Sequence, residues 1–155
     1  ALPFIAGISE AVDRAHEHGI VHGTLHLRDI FVSPEEVRIT GFGIATALEA
    51  SGLAVPIRRP YTAPEVIAGR AWGSEADLYA VAAVAYELLT GRRPAGSGDQ
   101  VADRLQNVVG AADPDALRSA FVRALADSPE ERFSSGAHFV SALRGGPISL
   151  SQNRN

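Results

Sequence analysis

Apolar positions along this chain fall into distinct patterns, and each predicts an element. Between residues 4 and 18, Ile5, Ile8, Val12 and Ala15 recur at the spacing of one helical face, with Gly19 as the stop. Ile30-Phe31-Val32 and Val37-Arg38-Ile39 are short runs of strand formers around Ser33-Pro34-Glu35-Glu36, which predicts two strands and a tight turn. The stretch Ser74 to Thr90, SEADLYAVAAVAYELLT, is apolar on nearly every face through Leu78, Val81, Ala82, Val84, Ala85, Leu88 and Leu89. A helix with no polar face has to be buried. Bounded by Gly73 and Gly91, it is too short and too closely flanked by turn signals to read as a membrane span. Ser74 with Asp77 three residues on marks its start. The expectation is a central core helix in a mainly α domain of the α+β family.

Weaker patterns fill in the rest. Ala45 to Pro60 has no strong period and carries Gly52, Pro56 and Pro60, so it reads as a long loop, a feature that in compact domains usually serves function. Pro64 to Ala68 fits a single helical turn. Val101, Leu105, Val108 and Val109 predict a short amphipathic helix. Asp113 with Pro114 starts another, with Leu117, Phe121, Ala124 and Leu125 inward. Ser134 or Ser135 caps a last helix carrying Phe139, Val140 and Leu143, and residues 146 to 155 read as a flexible tail.

Composition changes this picture only by exclusion. A chain of 155 residues is one domain's worth. A net charge of -4 and a pI near 5.7 lack the basic footprint of a nucleic-acid or membrane-surface binder. The absence of cysteine removes disulfides and thiolate metal sites and fits a reducing compartment, so the expected location is the cytoplasm, including the cytoplasmic part of a larger membrane-tethered protein. Ala1 stands where an initiator methionine would, and the chain has no Met at all, so it reads as a piece of a longer protein.

The order helix, strand pair, Gly41-Phe42-Gly43, long loop, Ala63-Pro64-Glu65, buried helix and further helices resembles the C-terminal lobe of a bacterial eukaryotic-type Ser/Thr protein kinase, over residues 1 to 145. His22-Gly23-Thr24-Leu25-His26-Leu27-Arg28-Asp29-Ile30 lies where that family has H-R-D-L-K-P-x-N-I, and Gly41-Phe42-Gly43 lies where it has D-F-G. The resemblance gives structural roles to His22 and Phe42, stacked between the lobes, to Asp77, bonded to the catalytic-loop backbone, and to Glu65 with Arg132, a partly buried ion pair.

The catalytic roles are where the chain departs. Phosphoryl transfer needs an Asp to orient the hydroxyl, a Lys near the phosphate, and Asn and Asp on the metal ions. Those positions here are Thr24, His26, Asp29 and Gly41. Thr24 has no useful basicity near neutral pH, and Gly41 has no ligand atom on its side chain. The arginine that anchors a phosphorylated activation loop in the family is replaced by Gly23. No Gly-rich phosphate loop and no V-A-I-K lysine occur in this chain, so ATP and magnesium are expected only with an upstream lobe, with Asp29 as the one metal ligand and Phe31, beside Val84 and Leu88, crowding the adenine floor. The implied reading is a pseudokinase, a binding or scaffolding module in signalling. The alternative is a degenerate Ser/Thr kinase that binds ATP through an upstream lobe, with Thr24 or His26 assisting.

Other residues carry readings of their own. His16, His18, His22 and His26 cluster closely, yet His22 and His26 fall in an irregular loop with no carboxylate at a zincin position, so no metal centre is expected there. His22 reads as a core residue, and His16 and His18 as exposed helix-end residues. Arg58 and Arg59, just ahead of Ala63-Pro64-Glu65, could pair Asp29 or hold an acidic or phosphorylated peptide. Trp72 and Tyr61 read as core aromatics or peptide-groove residues, and Thr46, Ser51 and Thr62 as candidate phosphosites. A protein partner is expected on Ala45 to Pro60 and on the helix near Val101 to Val109, and self-association through an apolar face at Phe31 and Phe42.

Overall fold

The computed structural model describes residues 1–96, 98–107 and 113–145. Helix α1 spans Leu2–Glu17, strand β1 Ile30–Val32 and strand β2 Val37–Ile39. Then follow α2 (Ile44–Ala50), α3 (Pro64–Ile67), α4 (Ser74–Thr90), α5 (Gly98–Asp103), α6 (Pro114–Ala124) and α7 (Gly136–Leu143). The strands pair antiparallel with Phe31 opposite Arg38, and the Ser33 hydroxyl accepts the Glu35 and Glu36 N–H groups to close the turn. The fold is mainly α: helices around one buried helix, with a two-stranded sheet at the edge.

Helix α4 is that buried helix, and residues Ala80 to Tyr86 are all buried along it. Alanine at Ala80, Ala82, Ala83 and Ala85 keeps its surface low, so neighbours pack closely with no loss of side-chain entropy. Gly91, at a φ of 68°, takes the left-handed conformation that ends the helix. Phe121 of α6 meets Tyr86 and Phe139 edge-on at 5.9 and 5.5 Å, which joins α4, α6 and α7 into one core. The contact between α1 and α7 is so close that a Cβ on Gly136 would lie 2.7 Å from the Ser9 Cβ, and the Asp13 carboxylate caps α7 by accepting the Gly136 and Ala137 N–H groups. Asp113 and Ser135 cap α6 and α7 as their residue types predict.

Several expectations need correction. The stretch Ala45 to Pro60 is not all loop, because Ile44–Ala50 forms α2. Its helix formers are too few for a period to register, and the buried Ala45 anchors it. Helix α4 does start at Ser74 as expected, but Gly73 holds the cap position with no side-chain cap bond, and the Asp77 side chain is turned into the interior. Val101 and Leu105 lie in the core, so α5 and the following 3-10 turn (Arg104–Asn107) do not offer these side chains to a partner; Val108 and Val109 lie outside the described residues. Val84 is fully buried, while Leu88 keeps some exposure. The tail 146–155 lies outside the described residues. Among the described residues no helix is long and apolar enough to cross a membrane.

Candidate functional site

The loop from His22 to Asp29 is held from beneath by Asp77. Its carboxylate, on a residue 1% exposed, accepts the His22 N–H at 2.7 Å and the Gly23 N–H at 2.8 Å. His16 donates a third bond through Nε2 at 2.9 Å, so this histidine is not a free helix-end residue; a neighbour in the core has drawn it inward. His18 does remain exposed, donating through Nδ1 to the Arg14 carbonyl.

The His22 ring is buried edge-on against Phe42 at 4.9 Å, as the resemblance implied. Nε2 lies 2.8 Å from the Thr40 carbonyl and so donates, which leaves Nδ1 to accept the Thr24 N–H at 3.3 Å. Gly41 stands beside this ring at a φ of +91°, and a Cβ there would come within 3.2 Å of the His22 Nε2. Thr24 is buried.

His26 and Asp29 form a capping box around the 3-10 turn Leu27–Asp29: the Asp29 Oδ2 accepts the His26 N–H at 3.0 Å, and the His26 Nδ1 accepts the Arg28 N–H at 2.9 Å. His26 therefore acts here as a neutral acceptor, its ring edge-on to Tyr61 at 4.6 Å. Burial and the adjacent Arg58 lower its pKa below 6.5, against an opposing pull from Asp29. A group that resists protonation in the folded state stabilises above its ordinary pKa and loses that contribution as pH falls through the folded value. Thermal unfolding between about pH 7 and 5 should show this as a falling Tm, and His26→Asn, which keeps an acceptor but does not titrate, should flatten that part of the profile.

Arg58 reaches into the same loop. Its Nη1 lies 2.9 Å from the Asp29 Oδ2 and 3.4 Å from the Thr24 carbonyl, so of the readings open for this arginine the pairing with Asp29 is the one that forms. Arg59 is exposed. Tyr61 is buried and hydrogen-bonded through its hydroxyl to Glu87, and burial followed by that carboxylate pushes the phenol up to about 12. Phe31 is exposed on the β1 edge, and Thr46 and Ser51 are exposed on and just after α2.

Magnesium asks for several hard oxygen ligands in a near-octahedral shell. Gly41 offers none from a side chain, Thr24 offers a neutral hydroxyl, and the Asp29 Oδ2 is already shared between the His26 N–H and a guanidinium. Among the described residues no His, Cys, Asp and Glu group of three or more is arranged to hold a metal ion. The residues present do not fit a magnesium–nucleotide site.

Behind this loop, Arg132 and Glu65 make the expected ion pair, with Nη1–Oε1 at 2.7 Å and Nη2–Oε2 at 2.8 Å. Burial pushes the Glu65 carboxyl up, and the Arg132 hydrogen bonds more than reverse it, holding the group below 4.5. Trp72 is only half-buried, and no pattern in the sequence announces where it sits. It fills the space above Gly23: a Cβ on Gly23 would meet the Trp72 Cη2 and Cζ3 at 2.6 Å.

Comparison with known proteins agrees with this layout. The family model for the protein kinase domain matches residues 2–137. The serine/threonine-protein kinase PknJ of Mycobacterium tuberculosis is 32% identical over an alignment that takes in 94% of this chain and 29% of its own length. The serine/threonine-protein kinase Pkn1 of Myxococcus xanthus is 33% identical, across 90% of this chain and 23% of its own. The chain thus spans less than a third of the length of these curated relatives. The crystal structure of the Mycobacterium tuberculosis PknI kinase domain superposes with a TM-score of 0.69 and 26% identity, over 93% of this chain and 54% of that one. Motif order, family model and fold coincide, and the chain belongs to the protein kinase domain family.

Proposed function

We propose that this chain is a catalytically deficient, kinase-like module that acts in signalling through protein interaction. The observation that carries this is the chemistry of the loop pair: a glycine at the metal-ligand position Gly41, a threonine at the base position Thr24, and the remaining carboxylate, Asp29, engaged by Arg58. In phosphoryl transfer nearly all the protein's contribution is positioned charge, and here the charges are missing or neutralised internally. Arg59 supports an acidic or phosphorylated partner, since it is exposed at a groove formed with Pro60, Thr62, Ile67, Tyr79 and Pro94. The exposed apolar side chains Phe31, Ile44 and Leu88 support association with a second lobe or a second copy. A cytoplasmic setting accords with the lack of cysteine.

The test is a calorimetric titration of Mg-ATP into the chain and into a version extended upstream. No saturable heat at millimolar nucleotide is the expected result. Magnesium-dependent saturation would favour the second reading, a degenerate kinase with Asp29 as its one metal ligand.

Restoring the lost aspartate also has a structural consequence. Gly41→Asp places a Cβ at a left-handed φ and against the His22 ring. That conformation costs about 1 to 2 kcal/mol for an L-residue, so a thermal melt should fall by roughly 2 to 8 °C. An unchanged Tm would show that the backbone relaxes freely at this position.

A further inference from the structure

We infer that the segment from Ile44 to Thr62 is latched onto the 22–29 loop from within the chain, with no need of a phosphate group or a divalent cation. Two separate contacts make the latch. The first is Arg58, whose guanidinium bridges the Asp29 Oδ2 at 2.9 Å and the Thr24 carbonyl at 3.4 Å. Its own backbone N–H is fixed by the Thr62 hydroxyl at 2.6 Å, and Thr62 is buried, so the arm that delivers the guanidinium is anchored at its base. The Asp29 side chain is 17% exposed and the Arg58 side chain 38%, so the pair is half-buried on the carboxylate side and open to solvent on the other, and it is only partly shielded from screening.

The second contact is Trp72. Its six-membered ring occupies the place that any side chain at position 23 would need, 2.6 Å from a Cβ built on Gly23, and the Ala45 Cβ lies 2.9 Å from the same point. The indole is therefore wedged where the loop backbone and the start of α2 meet. From there Nε1 donates to the Glu49 Oε1 at 2.7 Å, tying down the far end of α2. Helix α2 needs such support: it has seven residues, begins at Gly43 with no side-chain cap, and is too short to hold itself in water. A glycine at position 23 is what makes room for the wedge, so the side chain missing from the loop and the tryptophan ahead of α4 are two halves of one feature.

The consequence concerns ligands. The guanidinium holds the carboxylate oxygen that a divalent cation would take, and the wedge fills the space that a side chain at position 23 would need. Order in this segment is then constitutive. This deepens the proposed function and rests on the same Arg58–Asp29 contact; a magnesium ion on Asp29, as in the degenerate-kinase reading, would have to break that contact, while the Trp72 contact would stay in place.

Hydrogen exchange on the purified chain, before and after phosphatase treatment and with or without millimolar magnesium, reads the latch directly. Protection of residues 44–62 that is the same in all these conditions is expected. Arg58→Ala should speed exchange across 53–62 by about tenfold, and Glu49→Ala should do so across 44–50, while α6 and α7 keep their rates. Glu49 is exposed, so its removal does not threaten folding; Arg58→Lys, which keeps the charge, should restore part of the protection. With Mn2+ alone as the probe, electron paramagnetic resonance should show no specific site in the wild-type chain. Unprotected exchange of 44–62 in the wild type, protection that appears only with the cation or only before phosphatase, or variants with wild-type rates would each overturn the proposal.

Discussion

Arg132→Ala is expected to remove a large share of the stability of this chain. The Arg132 side chain is 0% and the Glu65 side chain 4% exposed, and every guanidinium nitrogen donates a hydrogen bond. Nε donates to the Ala126 carbonyl at 2.9 Å and Nη1 also to the Glu75 carbonyl at 3.0 Å, so one side chain joins α3, the start of α4 and the turn after α6. Truncation leaves a buried carboxylate with no counter-charge, for which about 3 to 5 kcal/mol is usual. Against a total of roughly 5 to 15 kcal/mol, that is a large share. Arg132→Lys keeps the charge but loses the two-pronged geometry and should fall between. Urea denaturation followed by circular dichroism measures this, and a loss below about 1 kcal/mol would mean the pair is energetically a surface pair. Acid offers an independent check. The folded Glu65 carboxyl is held below 4.5, so its contribution is fully present above that value and is lost as pH falls through the folded pKa. In Arg132→Ala the guanidinium's downward pull is gone and the upward push of burial is opposed only by a backbone hydrogen bond and the more distant Arg70, so the variant should lose less stability in acid than the wild type.

How much of this could be read from the chain depends on the kind of contact. Helix α4 was legible because an apolar surface on every face admits only burial, and the ends at Gly73 and Gly91 announce themselves. The pairing of Glu65 with Arg132 and the role of Asp77 were legible only through family resemblance, since 67 and 55 residues separate the partners and no local pattern spans such a distance. Arg58 on Asp29 was one of two readings open for that arginine, and geometry chose between them. Helix α2 is hidden because its stability comes from Trp72 and Ala45, which is tertiary support and leaves no period in a seven-residue segment. His16 misleads for a related reason: the dipole argument for a helix-end histidine is worth less than one bond to a buried carboxylate. The helix-start signal at Ser74 and Asp77 gave the right first residue of α4, but the Asp77 side chain serves partners far away in sequence rather than the helix end.

Asp77→Ala should have the other large effect, and its pattern should differ from that of Arg132. The three donors that converge on Asp77 are the backbone N–H groups of His22 and Gly23 and the ring of His16, and both backbone donors belong to buried residues. Hydrogen bonds to a charged group contribute about 1.5 to 3 kcal/mol each, and stranded buried N–H groups cost about 1 to 3 kcal/mol each. The contributions overlap, so a loss of about 3 to 5 kcal/mol is expected for the alanine variant. Asp77→Asn keeps one acceptor oxygen but turns an NH2 group toward a donor, and should lose roughly half as much. His16→Ala removes a single bond and should lose least, about 1 to 2 kcal/mol. Hydrogen exchange separates support of the loop from ordinary core packing. If Asp77 holds the loop, exchange across 20–29 rises in all three variants, most in Asp77→Ala, less in Asp77→Asn and least in His16→Ala, even under conditions where α6 and α7 remain fully protected. If protection falls equally everywhere, Asp77 is a core residue whose loss unfolds the whole domain, and the loop that carries Thr24, His26 and Asp29 owes its shape to its own capping box and to Arg58 alone.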